Sequence, residues 1–444
     1  MIPGPIAFAL LVPSFVGTLT FINFLATRKI VHPEVSRKAL HISMGLVALS
    51  FPWLFPEPTW FFVSFSTIIG ILALVKFQPG VRNLIGRALY NVERRSGGEI
   101  YFALTIVALY VVARDNIALY SIPILVMTVA DAFAALVGTF YGKATYLTRG
   151  GHKSWEGSVI FFFVAFMVIH IAIHLLTDFA PLDAVSITFC LAFVATAIEG
   201  GSWEGLDNLF LPLVTFFLLD GFLRKIDLDQ PLVIGIQSNL AIIGFALLGV
   251  FVNKTIRIRS DAIMAMVAFG YLFWASQGFD LLLPGLMTGL CFLGVTLGRD
   301  RGMVRKIVDG QIVTAVCLPA AIPLMLHMQH IDFDIHFTVY LTLAASASLV
   351  VSGVLANQLD ANLKNNFRMA LIATVMGLAY GLAWALMTQT WGAGSTIQIL
   401  SFVLVSIVPV LLMILMKSAP RTAQISSIFL WPMAIAMASV FFSS

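Results

Sequence analysis

The sequence predicts an all-α protein, a polytopic transmembrane helical bundle of about 14–16 spans. Three observations predict it. The chain of 444 residues is 59% hydrophobic and 11% charged, with a mean hydropathy of +0.96, far more apolar than an average soluble domain. Apolar runs near the ~20 residues that cross a hydrocarbon core recur along its whole length. The basic residues, finally, collect in alternate breaks between those runs.

In the first half the runs fall at about 5–26, 39–55, 59–75, 99–113, 117–140, 155–176, 184–198 and 206–223. In the second they fall at about 231–252, 262–276, 281–298, 309–327, 337–355, 369–388, 397–416 and 426–443. The first, Pro5 to Ala26, exceeds a signal-peptide core and lacks both a basic leader and an Ala-x-Ala site, so it reads as a retained span. Cys190, Cys291 and Cys317 are far apart and lie inside apolar runs, which excludes a disulfide framework and a thiolate metal site.

If the breaks alternate sides, one side receives 23 of the 26 Lys and Arg residues, leaving Arg114, Arg224 and Lys225 for the other. Positive loops stay cytoplasmic, so the heavily basic side is expected to face the cytosol and both termini to face away from it. All seven glutamates, Glu34 to Glu204, lie in the first half. An acid at membrane depth costs at least a few kcal/mol and points to function, so the chemistry is expected within residues 27–223.

Five stretches carry it. "ADAFAALVGTFYGK", residues 130–143, sets Asp131, Ala135, Gly138 and Gly142 on one helical face. A helix-packing seam accounts for Gly138 and Gly142 but not for the carboxylate. The break "YGKATYLTRGGHKSWEGS", 141–158, supplies Lys143, Arg149, His152 and Lys153, then Gly151, Ser154, Glu156, Gly157 and Ser158 at a helix start. Such a loop reads as flexible, and unpaired N–H groups at a helix N-terminus suit a phosphate. "EGGSWEGLDNLFLP", 199–212, lacks Lys and Arg and presents Glu199, Glu204, Asp207 and Asn208, oxygen donors of the kind Mg²⁺ takes. "HPEVSRKALHISMG", 32–45, brings Arg37, Lys38 and His41 to the mouth of the second span, and "ERRSGGEIYF", 93–102, brings Glu99 to the fourth. Before that, "VRNLIGRALYNVERR" has the basic amphipathic pattern of a helix on anionic headgroups.

Taken in chain order, the five stretches resemble the polyprenol kinase family, which includes dolichol, phytol and farnesol kinases. The matches are Arg37-Lys38-x-x-His41-x-x-x-Gly45, Gly98-Glu99-Ile100-Tyr101-Phe102, Asp131 through Gly142-Lys143, Lys153-Ser154-x-Glu156-Gly157-Ser158, and Glu199 with Asp207-Asn208-Leu209. They cover residues 28–223, about half the chain. The resemblance implies transfer of the γ-phosphate of CTP, or another nucleoside triphosphate, to an isoprenoid alcohol, with Mg²⁺ or another divalent cation as cofactor.

Carried onto this chain, it implies metal ligands among Asp131, Asp207, Asn208 and Glu199. Nucleotide contacts are expected from Gly138, Gly142, Lys143, Arg149, Gly151, Lys153, Ser154, Gly157 and Ser158, and headgroup contacts from Arg37 and Lys38. Asp131, Glu156, His41 and Glu99 are the catalytic candidates, with the proton acceptor open among His41, Glu156 and Glu99. Residues 1–228 are expected to form the active-site domain and 229–444 an additional multi-span domain, placed after the kinase region where longer family members carry extra spans before it. Shaping a groove for a long chain and self-association into a homo-oligomer are both open for that half. No nucleic-acid partner is expected.

Two other readings compete. A cytidylyltransferase acting on a phospholipid acid needs the same CTP, Mg²⁺ and membrane-edge carboxylates, but releases pyrophosphate. A transporter suits a many-span chain, yet places its polar residues near the midplane, whereas these gather at one membrane edge.

Overall fold

The computed structural model describes residues 3–28, 30–81, 97–148, 151–225, 231–256, 258–278, 280–287, 308–328, 334–356, 363–388, 393–415, 432 and 434–435. The chain is a multi-pass helical membrane protein and divides into two compact units, Met1–Ile242 and Ile243–Ser444. Among the described residues, six helices are long and apolar enough to cross a membrane by length and composition, and six shorter helices are apolar.

The first unit begins with α1 (Gly4–Thr27), α2 (Pro33–Leu49), the single turn α3 (Phe51–Leu54), α4 (Pro58–Phe77) and α5 (Gly98–Ala113). The second span was expected from residue 39; its helix starts six residues earlier. Hydropathy does not register the reason: Pro33 sits in the first turn, and His32 caps the helix by accepting the Glu34 N–H at 3.2 Å. Arg37, Lys38 and His41 therefore stand on a rigid helix.

Next comes α6 (Ile117–Tyr141), started by Asn116, whose side chain accepts the Ala118 and Leu119 N–H groups. Its middle, Val126–Ala130, is a π-helical segment directly before Asp131. Such a bulge frees carbonyls from the regular ladder and often marks a functional position. The following loop, expected to be flexible, is an antiparallel hairpin: β1 (Thr145–Thr148) pairs with β2 (Gly151–Ser154), setting Tyr146 opposite Lys153 and Thr148 opposite Gly151. Gly151 has φ +129°, a backbone that only glycine adopts without strain.

The unit continues with α7 (Trp155–Leu176), α8 (Pro181–Gly201), α9 (Asp207–Lys225) and α10 (Pro231–Ile256), within which the division falls. Ser154 caps α7 by accepting the Gly157 N–H at 3.1 Å. The span of α8 is 67% buried against 28% for α1, α4 and α7, so α8 is the axis and the others expose a lipid-facing side. α6 packs against α2 and α7, while α9 packs against α5, α6 and α8.

In the second unit, α11 (Ser260–Gln277), α12 (Gly310–Met328), α13 (Ile335–Ala356), α14 (Leu363–Thr388) and α15 (Ala393–Leu415) pack in sequence, α13 also touching α15. The span expected at 426–443, the amphipathic segment before residue 97 and Arg149 lie outside the described residues, apart from residues 432, 434 and 435.

Candidate active site

Helix ends that are distant in sequence meet at one end of the first unit. The N-terminal turns of α2, α5, α7 and α9 and the C-terminal turns of α6 and α8 contribute to a single cavity of about 1260 Å³. Alternation of spans puts all six ends on one side of a membrane.

At its centre Lys38 Nζ lies 2.5 Å from Asp131 Oδ2, and both residues are buried. His41 stands one turn further along α2. Its Nε2 is 3.7 Å from Asp131 Oδ2 and 3.1 Å from the carbonyl of Met127, inside the π-segment. The carbonyl only accepts, so the network assigns the proton to Nε2 and leaves the Nδ1 lone pair open. Phe102 of α5 meets the imidazole edge-on, with centroids 5.0 Å apart. Arg37 lines the cavity and is paired with Glu34 at 2.6 Å.

A second pair closes the other wall. Lys153 of β2 reaches α8, donating to Glu199 Oε1 at 2.8 Å and to the Glu199 backbone carbonyl. Burial is the largest single influence and works against the Lys153 charge, but the attraction of Glu199 and Asp207 together with the Glu199 hydrogen bond overcomes it and holds the ammonium above its usual range. Glu199 Oε2 and Glu99 Oε2 are both buried without a partner. A buried carboxylate oxygen left unpaired is costly, and both residues line the cavity.

Asp207 and Asn208 line it as well. Asn208 is fixed by its own side chain, which donates to the Gly98 carbonyl at 3.1 Å, and by its carbonyl, which accepts from Thr105 at 2.7 Å. The turn before α9 holds Glu204 at φ +51° and Gly205 at φ +87°, so its backbone is over-determined in the way that loops at functional sites often are.

Other expected site residues take different places. Gly138, Ser154, Gly157 and Ser158 line the cavity, yet the glycines also form the seam between α6 and α7: a Cβ on Gly157 would lie 3.0 Å from the Ala134 carbonyl and 3.4 Å from Gly138 Cα. Ser158 is bonded to the Tyr146 hydroxyl at 2.8 Å. Gly142, Lys143, Gly151 and Glu156 are not part of the lining. Lys143 is exposed, a Cβ on Gly142 would strike Ser154, and Glu156 accepts the Ala144 N–H at 3.1 Å, which ties the hairpin to α7. Glu204, one of the oxygen donors of the 199–212 stretch, also lines the cavity, and the lining adds Glu34 and Ser202, for which the residue pattern gave no role in a site.

Over 207 residues, 46% of this chain and 86% of the relative, the sequence is 32% identical to a protein named phytol kinase from Synechocystis sp.. The chain belongs to the polyprenol kinase family. Proteins named probable phytol kinase 1, chloroplastic, of Oryza sativa subsp. japonica and probable phytol kinase 2, chloroplastic, of Glycine max are each 26% identical to it. The first match spans 45% of this chain and 68% of the relative, the second 44% and 67%. No family model and no solved structure matches the chain. The length matched in these polyprenol kinase relatives is close to that of the first unit, whose helix ends build the cavity.

Among the described residues, no three His, Cys, Asp or Glu side chains are grouped to hold a metal ion by themselves. That donor set still fits Mg²⁺, which takes one or two carboxylates and completes its shell with water and substrate phosphates. Glu199 has an unpartnered oxygen and Asp207 acts on the same lysine, so these two carboxylates are the ones that would fit such an ion.

Proposed function

We propose that the protein transfers the γ-phosphate of CTP to the hydroxyl of an isoprenoid alcohol of the phytol class at the cytoplasmic membrane edge. The observation that carries this reading is the two-sided cavity. Its polar end gathers Arg37, Lys38, Lys153, Asp131, Glu199 and Asp207, and continues without a break into an apolar arm between α1, α2, α4 and α5. An amphipathic alcohol with its chain in the bilayer and its hydroxyl at the interface suits that shape. The relatives' names supply the substrate class. The count of basic residues supports the cytoplasmic side, where nucleotides are.

In phosphoryl transfer the protein mainly positions the reactants and stabilises charge. The alcohol oxygen attacks the γ-phosphorus, the bond to the β-bridging oxygen breaks, and CDP leaves. His41 Nδ1 takes the hydroxyl proton, since the Met127 carbonyl holds the ring in the required tautomer. Asp131 balances Lys38 and steadies His41. Arg37 and Lys153 offer positive charge to the triphosphate, and the cap of α7 presents its N-terminal dipole. Glu199 and Asp207 would hold Mg²⁺, which when bound neutralises charge on phosphate oxygens.

The test is direct. Full-length protein in detergent is given CTP or ATP labelled at the γ-position together with phytol, farnesol, geranylgeraniol or dolichol. Label in an alkyl phosphate with release of CDP is the expected result. Pyrophosphate release points instead to cytidylyl transfer, and no label in any lipid overturns the proposal.

A further inference from the structure

The apolar arm of the cavity runs from its polar end toward a cluster of packed aromatic rings. Its walls are stripes at helical spacing: Leu11, Phe15 and Leu19 on α1, Ile68 and Leu72 on α4. On α2 the lining runs from Arg37 through Met44 and Val47 to Phe51 in α3. Ser50 between them keeps a right-handed helical backbone, φ −80° and ψ −10°, so the stripe follows one nearly continuous rod.

Phe51 and Phe65 line the arm at its end. Phe55, Phe61 and Tyr110 stand behind them, at most 1% exposed and not part of the lining. Phe51 meets Phe55 and Phe61 at 5.8 Å and Phe65 at 6.2 Å, and Phe61 stacks on Tyr110 at 3.7 Å. The Tyr110 hydroxyl donates to the Phe55 carbonyl at 2.5 Å. This floor is backed by packed rings and a hydrogen bond, and has little room to yield.

The geometry points to a chain-length gauge: Phe51 and Phe65 form the floor against which the far end of the substrate's hydrocarbon chain abuts. The inference rests on the cavity being a lipid-alcohol site. From His41 or Lys38 to Phe51 is ten or thirteen helical residues, roughly 15 to 20 Å at about 1.5 Å each. An extended carbon chain with bonds of about 1.5 Å advances about 1.3 Å per bond, so the arm holds about 12 to 16 main-chain carbons, or three to four isoprene units. Longer alcohols must bend or leave the arm sideways.

The experiment uses full-length protein in detergent with unsaturated prenols of 15, 20, 25 and 55 carbons. Occupancy is read by native mass spectrometry and turnover by transfer of labelled phosphate. For wild type, both are expected to fall at least about tenfold between 20 and 25 carbons, the discrimination a shaped apolar pocket gives against excess length. Phe51→Ala should move the drop outward by one isoprene unit. Ser14→Trp, which adds bulk to the lining from the exposed face of α1 and removes nothing from the core, should move it inward. The same cut-off in all three proteins, or no drop up to 55 carbons, overturns the gauge. Binding with these shifts but without phosphate transfer supports the gauge and overturns the kinase reading.

Discussion

The two compact units bury polar side chains in different ways. In the second unit the buried acids and most of the buried hydroxyls pair with neighbours in sequence, while Tyr340 and Tyr380 donate to backbone carbonyls 60 and 96 positions away. On α13, Thr342, Ser346 and Ser348 donate to carbonyls four residues back. Asp261 pairs with Arg259 two residues away, and Asp309 caps α12 by accepting the Ile312 N–H. In the first unit the partners are remote: Lys38 and Asp131 are separated by 93 positions, Lys153 and Glu199 by 46, Asn208 and Gly98 by 110. Four carboxylate oxygens there, on Glu99, Glu156, Asp183 and Glu199, have no partner, and those of Glu99 and Glu199 belong to residues that line the cavity. Local pairing makes a helix tolerable in a membrane, whereas pairing across the fold with acceptors left over describes a site built for a ligand.

Breaking a remote pair should cost most. Lys153→Met removes a phosphate-facing charge and leaves Glu199 buried without its cation, and a loss of at least about a hundredfold in kcat/KM is expected, as for other donors at developing charge. Steady-state transfer of labelled phosphate measures it. Glu199→Gln keeps the shape but weakens the cation site; an intermediate loss of about tenfold or more is expected, with the Mg²⁺ concentration for half-maximal rate rising alongside.

A smaller effect is expected at Gly45, where α2 crosses the π-segment of α6 and a Cβ would lie 2.0 Å from Thr128 Oγ1. Glycine to alanine ordinarily favours a helix by about 1 kcal/mol. Here Gly45→Ala should instead destabilise, by about 1–3 kcal/mol from overpacking, and Thr128→Gly in the same chain should restore part of the loss on thermal unfolding. The smallest effect belongs to the second unit. Ser346→Ala removes one local hydrogen bond worth about 1 kcal/mol, and should leave transfer at the wild-type rate.

Span positions were legible because a bilayer demands apolar length, and runs such as 155–176 coincide with their helices. Features set by local hydrogen bonding were not. The start of α2 depends on His32 and Pro33, the hairpin on eight residues with no apolar signature, and the π-segment on a register of bonds that composition does not encode. The residues around the cavity were legible as acids, lysines and glycines at membrane edges. Their partners were not, since nothing in one sequence ties Lys38 to Asp131 or Lys153 to Glu199. The Gly138, Gly142 and Gly157 pattern carried two meanings at once, approach to a ligand and approach of two helices, and the seam between α6 and α7 is visible only when both helices are placed.

The central claim is that the chemistry belongs to the remote cluster of the first unit, and one paired measurement tests it most directly. Asp131→Asn and Asp261→Asn each remove a buried carboxylate that is paired with a basic side chain, one from each unit. Both are assayed as full-length protein for transfer of γ-phosphate from CTP to phytol, with thermal unfolding recorded in parallel. Asp131→Asn is expected to lose at least about a hundredfold in rate while still unfolding cooperatively, and Asp261→Asn to transfer at the wild-type rate whatever its stability. Wild-type transfer by Asp131→Asn would contradict the account.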